Sequence, residues 1–391
     1  MPTRTISVAI LLTLLSASTA LAQWSADPMQ NLGLSDKPNN DQVQPKLRPL
    51  SNNGWYVSWF DSDPSLPPPV GYNVFYQRLD RTGAELFAHD GVQIADLANS
   101  STEDYGLDID TAGNALVAFL DTREDSNQQI TAARMSPSGQ PLWGPLGVQL
   151  TKDSSFHAAP KIAGTSDGGV VVGWTNDSSV ILQKLTPSGR PTWGKGRVLS
   201  ASGFNYSLSD LHATEDGSVV VSWVRDQGFG SNRNILAMKV SETGKQLWGS
   251  NPLVVFDGGS LQFGNFPGFI PDGKGGAVFG WYSSSPSLQC YAQHIRADGS
   301  EAFPHNGSVA SVNPTQIRVE PSVSYNGATD ETFLSYTEED SLQFTNGVSA
   351  QKFDATGNRQ WGDRGHVIVP LGDDSQIFVK SVRTGDGVLI F

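Results

Sequence analysis

The chain has 391 residues, 38% of them hydrophobic and 17% charged, with a formal net charge of −13. That acidity argues against nucleic acid or an anionic membrane as the main partner. A single cysteine, Cys290, excludes an internal disulfide framework, and a chain of this length can bury a large core without one.

Residues 1–22 read as an export signal. Arg4 precedes the apolar stretch 6–15, and Ala20, Leu21 and Ala22 supply the small residues of a cleavage site. The apolar run is short for a membrane span, and no comparable segment follows. The expectation is a secreted, extracellular monomer (periplasmic in a Gram-negative source) without a transmembrane segment, with residues 23–391 forming one domain.

Beyond the signal, a glycine followed four residues later by an aromatic recurs six times. The pairs are Gly83/Phe87, Gly139/Trp143, Gly189/Trp193, Gly244/Trp248, Gly299/Phe303 and Gly357/Trp361. A period this long, rich in strand formers and without amphipathic helical stretches, implies an all-β propeller of four-stranded antiparallel blades. In the clearest copy, residues 160–165, 170–174, 180–185 and 193–199 read as the four strands. The second strand closes on an aromatic in every copy (Trp59, Phe119, Trp174, Trp223, Trp281, Tyr336), as packing between blades requires. The third ends on a basic residue (Arg78, Arg134, Lys184, Lys239, His294, Lys352), read as a surface charge on a snorkelling stem. Trp24, Leu32 and Leu34 resemble the fourth strand of a further unit, and residues 379–391 its first strand and part of its second. The expectation is therefore a seven-bladed β-propeller, six blades whole and one shared by the termini and cut short at the C-terminus, the alternative being a six-bladed ring with a ragged seventh sheet.

The run Thr243-Gly244-Lys245-Gln246-Leu247-Trp248 resembles the docking turn of the pyrroloquinoline-quinone-type propeller repeat, Thr-Gly-Lys-x-x-Trp. Thr356-Gly357 to Trp361 matches it except for the lysine, and Thr82-Gly83 to Phe87 is a weaker relative. The resemblance implies a propeller whose turn aromatic packs between neighbouring blades. That family carries alanine six residues before the glycine, where this chain has Gln77, Ala133, Gln183, Met238, Gln293 and Gln351. Its dehydrogenases use a quinone, calcium and typically an adjacent cysteine pair, which one cysteine cannot supply. No cofactor is expected, and calcium lacks a loop of suitable spacing.

Catalytic motifs are missing: the six histidines are dispersed, and there is no nucleophile elbow or phosphate loop. Ligand contacts are expected in the non-repeating loops of one face, at Asp61, Asp63, Asp121, Arg123, Asp125, Asp177, Arg225, Asp226 and Asp340. Exposed acids after a strand also serve simply to keep loops solvated. The leading expectation is a non-enzymatic propeller that binds an extracellular glycan or protein through this acidic face. One alternative is a carbohydrate-active hydrolase or lyase using carboxylates such as Asp61, Asp121 or Asp226. Another is a structural repeat domain of a longer protein.

Overall fold

The computed structural model describes residues 24–391 except 26, 28, 63–70, 95–103, 123–126, 375, 377 and 386. The expected signal segment lies outside the described residues, as do Asp63, Arg123 and Asp125. Among the described residues every regular element is a strand, and the chain forms an all-β propeller.

Blade 1 comprises Gln42–Pro49, Trp55–Ser62, Tyr72–Leu79 and Val92–Gln93; blade 2 comprises Gly106–Ile109, Ala115–Asp121, Gln129–Met135 and Val148–Gln149. Blade 3 is His157–Gly164, Val170–Asn176, Ser179–Leu185 and Arg197–Leu199; blade 4 is Asn205–Ala213, Val219–Asp226, Asn234–Val240 and Leu253–Phe256. In blade 5 the first strand is split into Ser260–Leu261 and Phe269–Pro271, both paired to Ala277–Ser285, with Gln289–Ile295 and Ser308–Val309 outside. Blade 6 is Gln316–Asn326, Glu331–Asp340, Asn346–Phe353 and His366–Gly372. A two-stranded sheet, Ser381–Thr384 with Gly387–Ile390, follows and docks on the first strand of blade 6, where Ser381 Oγ lies 2.8 Å from Ser324 Oγ.

Successive first strands touch one another around the ring, so they form the wall of the central channel. The second strands are apolar along nearly their whole length because both of their faces are covered by neighbouring blades. Between blades 3 and 4, for example, Val171 and Leu182 pack with Leu208, Trp223 and Met238.

The repeated turn glycines all have positive φ, from 82° to 87°, in hairpins that a side chain would strain. Each also lies against the aromatic of the preceding unit. A Cβ built on Gly189 would stand 3.0 Å from Trp143, and one on Gly299 2.9 Å from Trp248. Where the wedge is Trp143, Trp193 or Trp248, its indole N–H donates to the carbonyl two residues before that glycine: to Pro187 (2.9 Å), Glu242 (3.2 Å) and Ala297 (3.0 Å). Trp24 does the same for blade 1, donating to Arg81 (3.2 Å) beneath Gly83. It fills that role from a segment that is not a strand. Fourth strands are shorter than expected, because the wedge aromatic sits in a turn fastened by a lone bridge such as Leu185 to Pro191.

The glutamines that replace the quinone-type alanine are buried clamps. Gln183 Oε1 accepts from the backbone N–H groups of Lys184 and Trp193 (3.0 Å each), while its Nε2 donates to the Gly194 carbonyl (2.9 Å). Gln77, Gln293 and Gln351 make the same three kinds of bond around Phe87, Phe303 and Trp361. Four of the six wedges, Phe87, Trp193, Phe303 and Trp361, are thus pinned by their own blades.

The basic residues closing the third strands are not free surface charges. Arg134, Lys184, Lys239, His294 and Lys352 pair with Asp110, Asp167, Asp216, Asp272 and Glu331 in or beside the first hairpin turn of their own blade. The four aspartates also accept backbone N–H groups of the turn, as Asp167 does from Gly169 (3.0 Å). Cys290 is fully buried, and burial pushes its thiol pKa up.

Candidate functional site

The first strands do not run smoothly. Pairing with the second strand shifts register between Val43 and Lys46, opposite Gly173 to Thr175 in blade 3, between Leu208 and Asp210, and between Val319 and Ser322. Such bulges bend a strand and re-aim its side chains. The first three of these sit at the lining of a cavity of about 790 Å³.

Charged side chains from four blades line this cavity: Lys46 and Arg48, Asp104, Lys161, then Asp210 and His212. Asp104 is bracketed by two cations, Lys46 Nζ at 2.6 Å and Lys161 Nζ on its other oxygen. Burial alone would raise the Asp104 pKa, but the two lysines outweigh it and hold the carboxyl below its ordinary range. Burial in turn pulls the Lys46 ammonium below the usual lysine range against the attraction of Asp104.

Asp210 Oδ2 lies 3.0 Å from His212 Nε2 and accepts the Phe269 backbone N–H at 3.2 Å, while Oδ1 accepts that of Leu211 at 2.9 Å. Burial works against ionisation of Asp210, yet the charge and hydrogen bond of His212 keep its pKa far below the ordinary value. The imidazole stands edge-on to Phe269, with ring centroids 5.0 Å apart. Its orientation is therefore set by a carboxylate on one side and a ring on another, the arrangement that readies a histidine for proton transfer. Tyr105 also lines the cavity, but its hydroxyl is bound to Ser58 and the Gln44 carbonyl, and burial raises its pKa. Two exposed rings, Phe156 and Phe266, complete the rim.

None of the described loop residues expected to bind ligand lines this cavity. Asp61 is buried, accepting from Asn40 (2.6 Å) and Lys37 (3.2 Å), and Asp121 is buried and accepts from Thr131. Asp340 caps its own hairpin through Leu342 and Thr345, which lower its pKa to about 2. Arg225 donates to Asn234 (3.2 Å) and lies over Phe204. Two of the nine act at one remove. Asp177 accepts the backbone N–H of Phe156 (3.0 Å), and Asp226 faces Arg233 (3.7 Å), which lies under Phe266. Sequence reasoning missed Lys46, Arg48, Asp104, Lys161, Asp210 and His212. The available signal was charge inside first strands, such as Lys46-x-Arg48 and Asp210-x-His212, where a buried sheet should be apolar. A separate group able to ligate a cation, Asp36, His89 and Asp90, lies outside the cavity lining.

No protein family and no curated protein matches the sequence. Solved structures do match the fold. An ulvan lyase from a new polysaccharide lyase family superposes with a TM-score of 0.50 at 12% identity, covering 90% of this chain and 88% of that one. An α-L-arabinanase from Penicillium chrysogenum has a TM-score of 0.42 at 11% identity over 80% and 93% of the two chains. A Hadza microbial sialidase has a TM-score of 0.40 at 10% identity over 84% and 71%. The likeness to the lyase shows the fold, a β-propeller, and not the quinone-type repeat that the turns resemble. The expectation of a non-enzymatic binder is corrected as well, since the structure that superposes at 0.50 is a polysaccharide lyase. That expectation rested on the export signal, the repeat and the absence of a catalytic motif.

Proposed function

We propose that the protein is a carbohydrate-active enzyme that cleaves an anionic polysaccharide at the channel-mouth cavity. The observation that carries this reading is local charge: in a chain with net charge −13, this cavity gathers Lys46, Arg48 and Lys161 against Asp104 and Asp210, beside an oriented histidine. A cationic recess in an acidic protein selects an acidic group on its ligand, and exposed rings at the rim suit the apolar faces of sugars.

Of the two glycan-cleaving chemistries, elimination fits these residues better than hydrolysis. A hydrolase needs a carboxyl that stays protonated beside one that does not. The two carboxyls that line the cavity are held below their ordinary range by cationic partners, while Asp108, whose pKa burial raises, lies outside the lining, facing Arg48 (3.8 Å) and accepting the Gly164 backbone N–H (2.9 Å). In elimination, Lys46, Arg48 and Lys161 would meet the carboxylate of a uronic acid and stabilise charge building on it as the C5 proton leaves. His212 takes that proton. The C5–H pair becomes the C4–C5 double bond, the C4–O bond breaks, and the departing oxygen takes a proton from Lys46, whose lowered pKa makes it a better acid.

The test is to incubate the purified protein with polygalacturonate, alginate and ulvan and follow ultraviolet absorbance of unsaturated uronate ends together with new reducing ends. Both should rise with one of the polymers and be lost in His212→Ala. New reducing ends without absorbance would replace elimination by hydrolysis. No cleavage of any of the three would reject the enzyme.

A further inference from the structure

Blade 5 departs from the repeat where its first strand is interrupted by residues 262–268. This insertion adds nothing to the sheet, and non-repeating segments on a repetitive scaffold are where binding residues collect. It is nonetheless firmly held. The Arg233 guanidinium lies over the rings of Phe263 (5.5 Å) and Phe266 (5.0 Å), donates to the Asn265 carbonyl (3.3 Å) and faces Asp226 (3.7 Å). The backbone at Leu261 and Arg233 is tied by a further bond of 3.0 Å. Phe263 is 76% exposed despite this anchoring, and Phe229, 98% exposed, stands edge-on to it at 6.3 Å. Rings fixed in solvent form an apolar patch that folding alone does not explain.

On the far side of the insertion lies a second cavity of about 530 Å³, between blades 5 and 6 and the two-stranded sheet. Phe266, Gly268, Phe269 and Ile270 line both cavities, so the insertion is a partition that the two share. Phe263 and Phe378, the latter 67% exposed, flank the second cavity, and its charges balance, with Glu320 against Lys380. Glu320 is engaged by the Phe378 backbone N–H (2.8 Å), which holds that ring's segment against blade 6.

We infer that the second cavity is an outer subsite of the same cleft, and that a long glycan chain crosses the insertion on the faces of Phe263 and Phe266. This rests on the reading of the first cavity as a glycan-cleaving site. It adds that the enzyme grips sugars several positions away from the bond that breaks and so favours long chains over short fragments. The first cavity takes the acidic group through its cations; the second takes sugar faces by stacking, without a net charge of its own.

The experiment compares the wild-type chain with Phe263→Ala and Phe263→Ala/Phe378→Ala. Affinity electrophoresis in gels containing polygalacturonate, alginate or ulvan measures binding, and kcat/KM is measured on the cleaved polymer and on its short oligosaccharides. Both rings are exposed, so the variants should fold, as near-ultraviolet circular dichroism will verify. The ratio of kcat/KM for polymer to that for oligosaccharide should fall about tenfold in the double variant, the effect of roughly one lost ring contact, and gel retardation should weaken in parallel. An unchanged ratio and unchanged retardation would overturn the subsite while leaving the enzyme standing. Retardation that the double variant loses, with no cleavage by the wild type, would support the subsite and reject the enzyme. A wild type that neither binds nor cleaves any of the three polymers would overturn both.

Discussion

The indole of Trp143 lies flat against the backbone of Gly189 in the next blade and donates its N–H to Pro187 two residues earlier. One ring therefore measures both the shape and the position of its neighbour's turn. With φ at 84° and a Cβ that would stand 3.0 Å from the ring, Gly189→Ala strains the turn and pushes the wedge out together. Urea unfolding should show a loss of about 1–3 kcal/mol. An unchanged midpoint would mean that the turn relaxes freely and that the wedge is not a rigid gauge.

The glutamine clamp behind Trp193 makes a separate prediction. Gln183→Ala leaves two backbone N–H groups and a carbonyl without the partners that Gln183 supplies. Buried groups stripped of a partner cost about 1–3 kcal/mol each when water cannot reach them. A fall in thermal midpoint should follow, with far-ultraviolet circular dichroism retained below it. Loss of less than about 0.5 kcal/mol would show that water replaces the amide.

Acid should weaken the first-hairpin pairs. Asp167 is held at about 2, below the ordinary value of 3.8; burial opposes this, but hydrogen bonds from Lys184, Thr165 and Gly169 prevail. A pKa depressed on folding adds stability that is complete above the ordinary carboxylate range and disappears as pH falls through about 2. The deficit of Asp167→Asn relative to wild type should accordingly be largest near neutrality and shrink towards pH 2. Thermal melts across that range will measure it, and a deficit independent of pH would assign it to packing rather than charge.

At the cavity, His212 and Lys161 should fail differently. His212→Ala removes the proton acceptor and should lower kcat by about 10²–10⁴ on the cleaved polymer. Lys161→Met removes one of the three cations proposed to meet the uronate carboxylate and should raise KM and lower kcat, the latter by less than His212→Ala does, because Lys46 and Arg48 remain. An unchanged kcat and KM would remove Lys161 from the site.

Much of the fold was legible because its signals are local. A glycine required at positive φ, an aromatic four residues on, and an apolar second strand each report on a few neighbouring residues, and repetition multiplies a weak signal six times. Trp24 could be recognised as a further wedge for the same reason. The partners of the repeated bases were less visible. Lys184 and Asp167 are 17 positions apart, and only the hairpin's register puts ammonium and carboxylate 2.5 Å from each other.

The candidate site was illegible for a stronger reason. Asp61, Asp121 and Asp226 stood out as acids after strands, but nothing local says whether a carboxylate faces solvent or closes its own blade. Lys46, Asp104, Lys161 and Asp210 come from successive blades, about fifty residues apart along the chain, and meet only because the ring gathers first strands around one axis and bulges turn their side chains into the opening. The repeating blade was written in the chain, since hairpin geometry and burial pattern are properties of short stretches. The tertiary structure alone decided which charges share a cavity, since that depends on ring curvature and strand register, to which no single repeat is sensitive.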